Sequence, residues 1–144
     1  SVITIDIEDK RTPRAMRMSL MRKKVKFLLG SSTSPKIVAE VKRRVRGKKV
    51  VLILDSLHTK SHVLDELRAY WRLVEVGSYI IVQDSAINGH PIAKYTGPGP
   101  WEAVEAFLAE NDHFVIDKSR ERLLFTNNPN RSLTIGIASC RGRA

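Results

Sequence analysis

The sequence predicts an α/β fold, a doubly wound and mostly parallel sheet with an antiparallel hairpin near its C-terminal end. Three observations predict it. The apolar, β-branched-rich run Val50–Leu54 leads directly into Asp55 and is followed by helical spacing at Val63, Leu64 and Leu67. Tyr79–Asp84 (Y-I-I-V-Q-D) repeats the device, an apolar strand ending in an acid. Strand-like and helix-like segments alternate from Val2 to Leu108, the pattern of a sheet wound with helices. Open α/β sheets bind ligands beyond the carboxyl ends of their strands, so two strand-end aspartates point to one shared site.

Taken in order, Val2–Ile7 (V-I-T-I-D-I) reads as a strand carrying Asp6 at its end, either a ribose ligand or an exposed turn acid. After Pro13, Arg14–Arg22 permits a short helix, and Val25–Leu29 is the next strand. That strand runs into Gly30-Ser31-Ser32-Thr33, small residues that let a ligand approach the backbone. Ser34-Pro35 is a helix start, and Ile37, Val38, Val41 and Val45 share one face, leaving Lys42, Arg43, Arg44 and Arg46 largely outward until Gly47.

The helix after Asp55 extends to about Val76, with Val63, Leu64, Leu67, Tyr70, Trp71 and Val74 available for burial. His58 and His62 stand four apart, a spacing zinc hydrolases use, yet H-T-K-S-H lacks both the glutamate and a third ligand of those sites. The expectation is that His62 packs near the helix start while His58 lines the cleft beside Asp55. Ser85–Pro100 is a long Gly- and Pro-rich loop, the expected cover of that cleft. Trp101–Glu110 reads as a helix opened by Pro100. His113–Asp117 and Arg122–Thr126 are expected to form the antiparallel hairpin, and Asn127–Asn130 to turn the chain out of the sheet.

Composition limits the alternatives. The chain has 144 residues, 42% hydrophobic, and no apolar run long enough for a bilayer span. Its single cysteine, Cys140, excludes an intramolecular disulfide and fits a reducing, cytoplasmic setting. The net charge of +10 is uneven: residues 1–50 hold fifteen Lys and Arg against four Asp and Glu, residues 51–144 ten against eleven. Such a basic region is either a solvated surface or an attraction for an anionic partner.

Four segments together resemble the cephalosporin hydroxylase family: L-D-S-L-H-T-K-S-H-V-L-D-E-L at Leu54–Leu67, V-G-S-Y-I-I-V-Q-D at Val76–Asp84, N-G-H-P at Asn88–Pro91, and G-P-G-P-W-E-A-V-E-A-F-L at Gly97–Leu108. That family is similar in fold to the Rossmann-like class I O-methyltransferases that use S-adenosylmethionine and magnesium, and the resemblance spans roughly Val2–Pro129. It implies methylation of a small-molecule hydroxyl, such as that of a sugar or antibiotic. On the cofactor side it implies Asp6 at the ribose, Gly30, Ser31 and Ser32 near the adenine, and Asp55 close by. It implies Asp55, Gln83 and Asp84 as metal positions, with Gln83 standing where the family has an acid, so that Mg²⁺ binding is expected to be weaker than at three acids. His58 and His62 are the candidates for substrate contact or general base.

The resemblance also implies an N-terminally incomplete domain, since nothing before Val2 supplies the first strand and glycine-rich turn of that fold. The expected organisation is therefore a partial methyltransferase domain over residues 1–132 and a tail over 133–144, either an extra edge strand or disordered. Exposed sheet edges would invite pairing with a second copy. The competing expectation is a non-catalytic basic protein with a degenerate cofactor site that binds nucleic acid or another anion.

Overall fold

A computed structural model of the chain describes residues 1–94, 97–120 and 132–135. The described strands form two sheets, and the chain divides into two compact units, residues 1–46 and 47–144.

In the first unit, β1 (Val2–Asp6) pairs in parallel with β2 (Val25–Leu29), with Asp6 opposite Leu29. A parallel pair needs a crossover, here two short helices, α1 (Pro13–Arg17) and α2 (Ser19–Lys24). The sequence reading of one helix over Arg14–Arg22 is corrected by Met18, whose extended backbone (ψ 124°) breaks the helical path. Thr12 caps α1, its hydroxyl accepting from the Ala15 amide at 3.1 Å. After β2, Ser34 caps α3 (Pro35–Val45), which buries Ile37 and Val41. On its polar side Arg43 and Arg44 both grip Glu40, at 2.8 and 2.6 Å. Hydrogen bonds from Arg43 pull the Glu40 carboxyl down to about 2, against a smaller opposing effect of burial.

In the second unit the strand order is β3-β4-β6-β5: β3 (Leu52–Leu54), β4 (Tyr79–Val82), β5 (Phe114–Ile116) and β6 (Ser132–Ile135). β3 and β4 are parallel, whereas β6 is antiparallel to both β4 and β5. The extended apolar run from Val50 narrows to three strand residues, and Ile53 on this edge strand and Val51 just before it remain exposed. The helix expected to reach Val76 stops at Tyr70 as α4 (Lys60–Tyr70), and Trp71–Leu73 tightens into one 3₁₀ turn. α5 is Pro100–Glu110.

Among the described residues β5 forms an antiparallel ladder with β6, a pairing the sequence reading did not include. Arg122–Thr126, the expected partner, lies outside the described residues. Ser132–Ile135 joins neighbours on both sides, so the described part of the 133–144 tail is an inner strand and neither an edge strand nor a disordered end. Leu133 is fully buried, which explains the interior position: its side chain belongs to the core. Residues 136–144 also lie outside the described ones.

That core contains Leu54, Val63, Leu67, Ile80, Val82, Val104, Phe107, Phe114 and Leu133. α4 and α5 are clamped at their exposed side by Arg68, which donates two 2.8 Å hydrogen bonds to Glu110. Tyr79 closes the opposite end of β4 by donating to Asp117 at 2.7 Å. Among the described residues no helix is long and apolar enough to cross a membrane.

Candidate active site

The parallel register of β3 and β4 creates the site. Leu54 lies opposite Val82, and the Gln83 amide donates to the Leu54 carbonyl at 2.9 Å, so both strands end at the same level. The chain therefore releases Asp55 and Asp84 side by side. Asp84 adopts φ +53°, a left-handed conformation that aspartate tolerates better than most residues and that is frequent where a functional group is aimed.

His58 completes the group. Its Nε2 stands 3.5 Å from Asp55 Oδ1 and 3.4 Å from Asp84 Oδ2. One ligand-type atom from each of Asp55, His58 and Asp84 falls within 4.8 Å of the others. The carboxylates are largely open to solvent, but His58 Nε2 is buried and has no hydrogen-bond partner among the described residues. An orphaned nitrogen between two carboxylates is costly unless something else satisfies it. The two carboxylates are oxygen donors that fit a divalent cation, and the imidazole between them is placed to meet a group that such a cation orients.

The loop after Asp84 packs around this group. Ser85 and Ala86 are buried, and further along Pro98 accepts a 2.9 Å hydrogen bond from the Lys60 amide. A Cβ on Gly99 would lie 3.3 Å from the His58 carbonyl oxygen, so glycine permits that close approach. Glu102 anchors the loop from α5. One of its oxygens accepts from Asn88 and lies 2.9 Å from His90 Nε2, and the other accepts from the Gly99 amide at 2.7 Å. Burial works to raise the Glu102 pKa, but the hydrogen bonds from His90, Gly99 and Asn88 outweigh it and hold the carboxyl at about 2. His90 also stacks flat on Trp101, ring centres 4.4 Å apart.

Of the residues singled out from sequence, Asp55, His58 and Asp84 come together. Gln83 follows β4 immediately, its backbone bound to Leu54. His62 stands on the first turn of α4 with its Nε2 3.6 Å from Glu66. Asp6 ends β1, where its Oδ1 accepts from the Glu8 amide at 3.1 Å and its backbone carbonyl accepts from Gly30 at 2.8 Å. Gly30 has φ +146°, and a Cβ there would press on Ile37 at 3.2 Å, so the turn requires glycine. Ser31 Oγ and Thr33 Oγ1 share a 3.0 Å hydrogen bond beside Ser32.

Two functional-looking residues escaped the sequence reading. Glu66 is a buried carboxylate that accepts from Ser56 at 2.8 Å, and Glu102 is the loop anchor. Glu66 falls within the inward stripe of Val63, Leu67 and Tyr70, and an acid inside an apolar stripe was the available signal.

Comparison with known proteins agrees with this architecture. The profile of the RMNT_CmcI family, Rhamnosyl O-methyltransferase/CmcI, matches residues 1–134. The rhamnosyl O-methyltransferases of Mycobacterium bovis and Mycobacterium tuberculosis are 38% identical over 134 residues, covering 90% of this chain and 53% of theirs. The Mycobacterium leprae protein of the same name is 33% identical, covering 88% of this chain and 56% of its own. The chain thus spans about half the length of these curated relatives. Among solved structures, the MycE methyltransferase of the mycinamycin biosynthetic pathway, in complex with Mg, SAH and mycinamycin VI, superposes with a TM-score of 0.51. It is 20% identical, over 75% of this chain and 28% of its own, a likeness of fold.

Proposed function

The chain belongs to the Rhamnosyl O-methyltransferase/CmcI family, and from that premise we propose that it is a methyltransferase domain acting on a hydroxyl of a small, sugar-bearing molecule. The methyl donor is S-adenosylmethionine, and Mg²⁺ assists. The observation that carries the reading is the Asp55, His58 and Asp84 group at the carboxyl ends of β3 and β4.

In this reading Asp55 and Asp84 hold the cation, and Gln83 stands ready to add a neutral oxygen. When bound, the two groups supply a Lewis acid that acidifies the acceptor hydroxyl and a methyl carried on a sulfonium. His58 accepts the hydroxyl proton, and the carboxylates beside it pair with the charge that then appears on the imidazole. His62, held toward Glu66, is the less direct candidate for that proton. Asp6 has a second carboxylate oxygen with no hydrogen bond among the described residues, which suits it to a ribose hydroxyl. Gly30, Ser31 and Ser32 are the residues that the family resemblance assigns to the adenine. The loop following Asp84, fastened by Glu102 and Gly99, limits water around His58 and shapes the acceptor side.

Calorimetric titration with S-adenosylmethionine, with and without Mg²⁺, tests the reading. Saturable 1:1 binding is expected, with Mg²⁺ binding lost in Asp55→Asn and Asp84→Asn. A folded chain that binds neither ligand would refute the assignment.

A further inference from the structure

Glu66 is a carboxylate at 2% exposure in the core-facing side of α4. Such a group is expensive to bury unless its oxygens are satisfied. Its Oε2 accepts from the Ser56 hydroxyl at 2.8 Å, and its Oε1 faces His62 Nε2 at 3.6 Å, an ion-pair distance rather than a hydrogen bond. The charge reaches further into the core. Burial pushes the Tyr70 hydroxyl up to about 12, and the nearby Glu66 carboxylate adds to that rise.

Ser56 is itself exposed, in the turn between β3 and α4, yet its hydroxyl points back to this buried acid. It directly follows Asp55. The other fixed points of the turn lie further along it: the Thr59 amide donates to the Leu57 carbonyl, Thr59 caps α4, and Gly99 packs against the His58 carbonyl. A side chain anchored in the core therefore holds the residue next to an exposed carboxylate whose own environment constrains it little.

We propose that Glu66 is a positioning residue, holding Ser56 and thereby the adjacent Asp55 in the orientation the cation requires, with His62 as a second point of attachment on the same carboxylate. This rests on the metal reading of the Asp55, His58 and Asp84 group. Glutamine at this position keeps one acceptor oxygen but turns the other into an amide donor and removes the charge, so it cannot reproduce both contacts as the carboxylate makes them.

The test is a Mn²⁺ titration of the chain, following free Mn²⁺ by electron paramagnetic resonance, together with amide hydrogen exchange of residues 55–59. Wild type is compared with Ser56→Ala, Glu66→Gln and the double variant. Each single change is expected to weaken Mn²⁺ binding about tenfold, the scale on which partners behind metal ligands act. Each should also speed exchange in residues 55–59 while the β4 amides stay protected. The double variant should bind no more weakly than the weaker single one, because both changes cut the same link. Unchanged Mn²⁺ affinity in folded Ser56→Ala overturns the proposal, as does full additivity. If Glu66→Gln does not fold, Ser56→Ala decides alone, since it removes one hydroxyl at an exposed residue and leaves the buried carboxylate itself in place. The metal reading fails separately if wild type binds Mn²⁺ no better than an Asp55→Asn, Asp84→Asn chain, and the proposal then falls with it.

Discussion

Asp84 Oδ2 lies 3.4 Å from His58 Nε2, although one follows β4 and the other precedes α4. The contact exists because parallel pairing ends β3 and β4 at one level. Asp84→Asn keeps the side-chain shape and a residue type that tolerates φ +53°, and replaces a charged carboxylate oxygen with a neutral amide donor. The expected result is a chain of near-native thermal stability whose Mg²⁺ affinity falls by more than about tenfold. Calorimetry alongside a melting curve checks both halves.

Gly99→Ala asks how tightly the loop is held against the site. The added Cβ would meet the backbone carbonyl of His58 at 3.3 Å, and backbone yields less readily than a side chain. We expect a loss of about 1–3 kcal/mol, the usual scale of overpacking, measured by urea unfolding. Substrate turnover should fall as well, because His58 is displaced.

Glu102 gives the loop an acid limit. Its folded pKa of about 2 lies below the ordinary 4.5, so between these values the unfolded chain binds the extra proton. The stabilisation is complete above about pH 4.5 and is lost as pH falls toward 2. With a side chain 23% exposed, the contribution discounted for solvent is on the order of 1 kcal/mol. Glu40 and Asp9 have folded values near 2 as well, each held there by arginine in the first unit. Comparing melting temperatures of wild type and Glu102→Gln from pH 2 to 6 isolates the loop: the gap between them should narrow as the pH drops.

Leu67→Ala tests the second unit's core. Leu67 is fully buried in a cluster drawn from α4, α5 and four strands, so its truncation should cost about 2–5 kcal/mol. Denaturant titration is the measurement, and a loss below 1 kcal/mol would mean that the cluster closes over the cavity.

Ser34→Ala probes the first unit through its cap. The Ser34 hydroxyl accepts from the Ile37 amide at 3.4 Å, a long bond, so the cost should fall at the low end of the roughly 0.5–2 kcal/mol range for lost caps. Hydrogen exchange at the first turn of α3 should increase while β4 amides remain protected.

The elements of this protein were largely legible in its chain because their signals are local. Ser34-Pro35 marks a helix start, Y-I-I-V-Q-D marks a strand that ends in an acid, and Pro100 opens α5, each through sterics within a few residues. Asp55 and Asp84 could be named from such patterns, and the motifs around them carried a family resemblance. What pairing and packing settled was distance. The 3.4 and 3.5 Å contacts of His58 follow from the β3 and β4 register, which no local pattern encodes. The insertion of Ser132–Ile135 between β4 and β5 follows from the burial of Leu133, in a segment whose alternating residues suited an edge equally well. Glu66 shows in sequence as an acid inside an apolar stripe, and its role as an anchor appears only when α4 turns it into the core opposite Ser56. Burial is a property of the assembled chain, and so is the meaning of a charge placed within it.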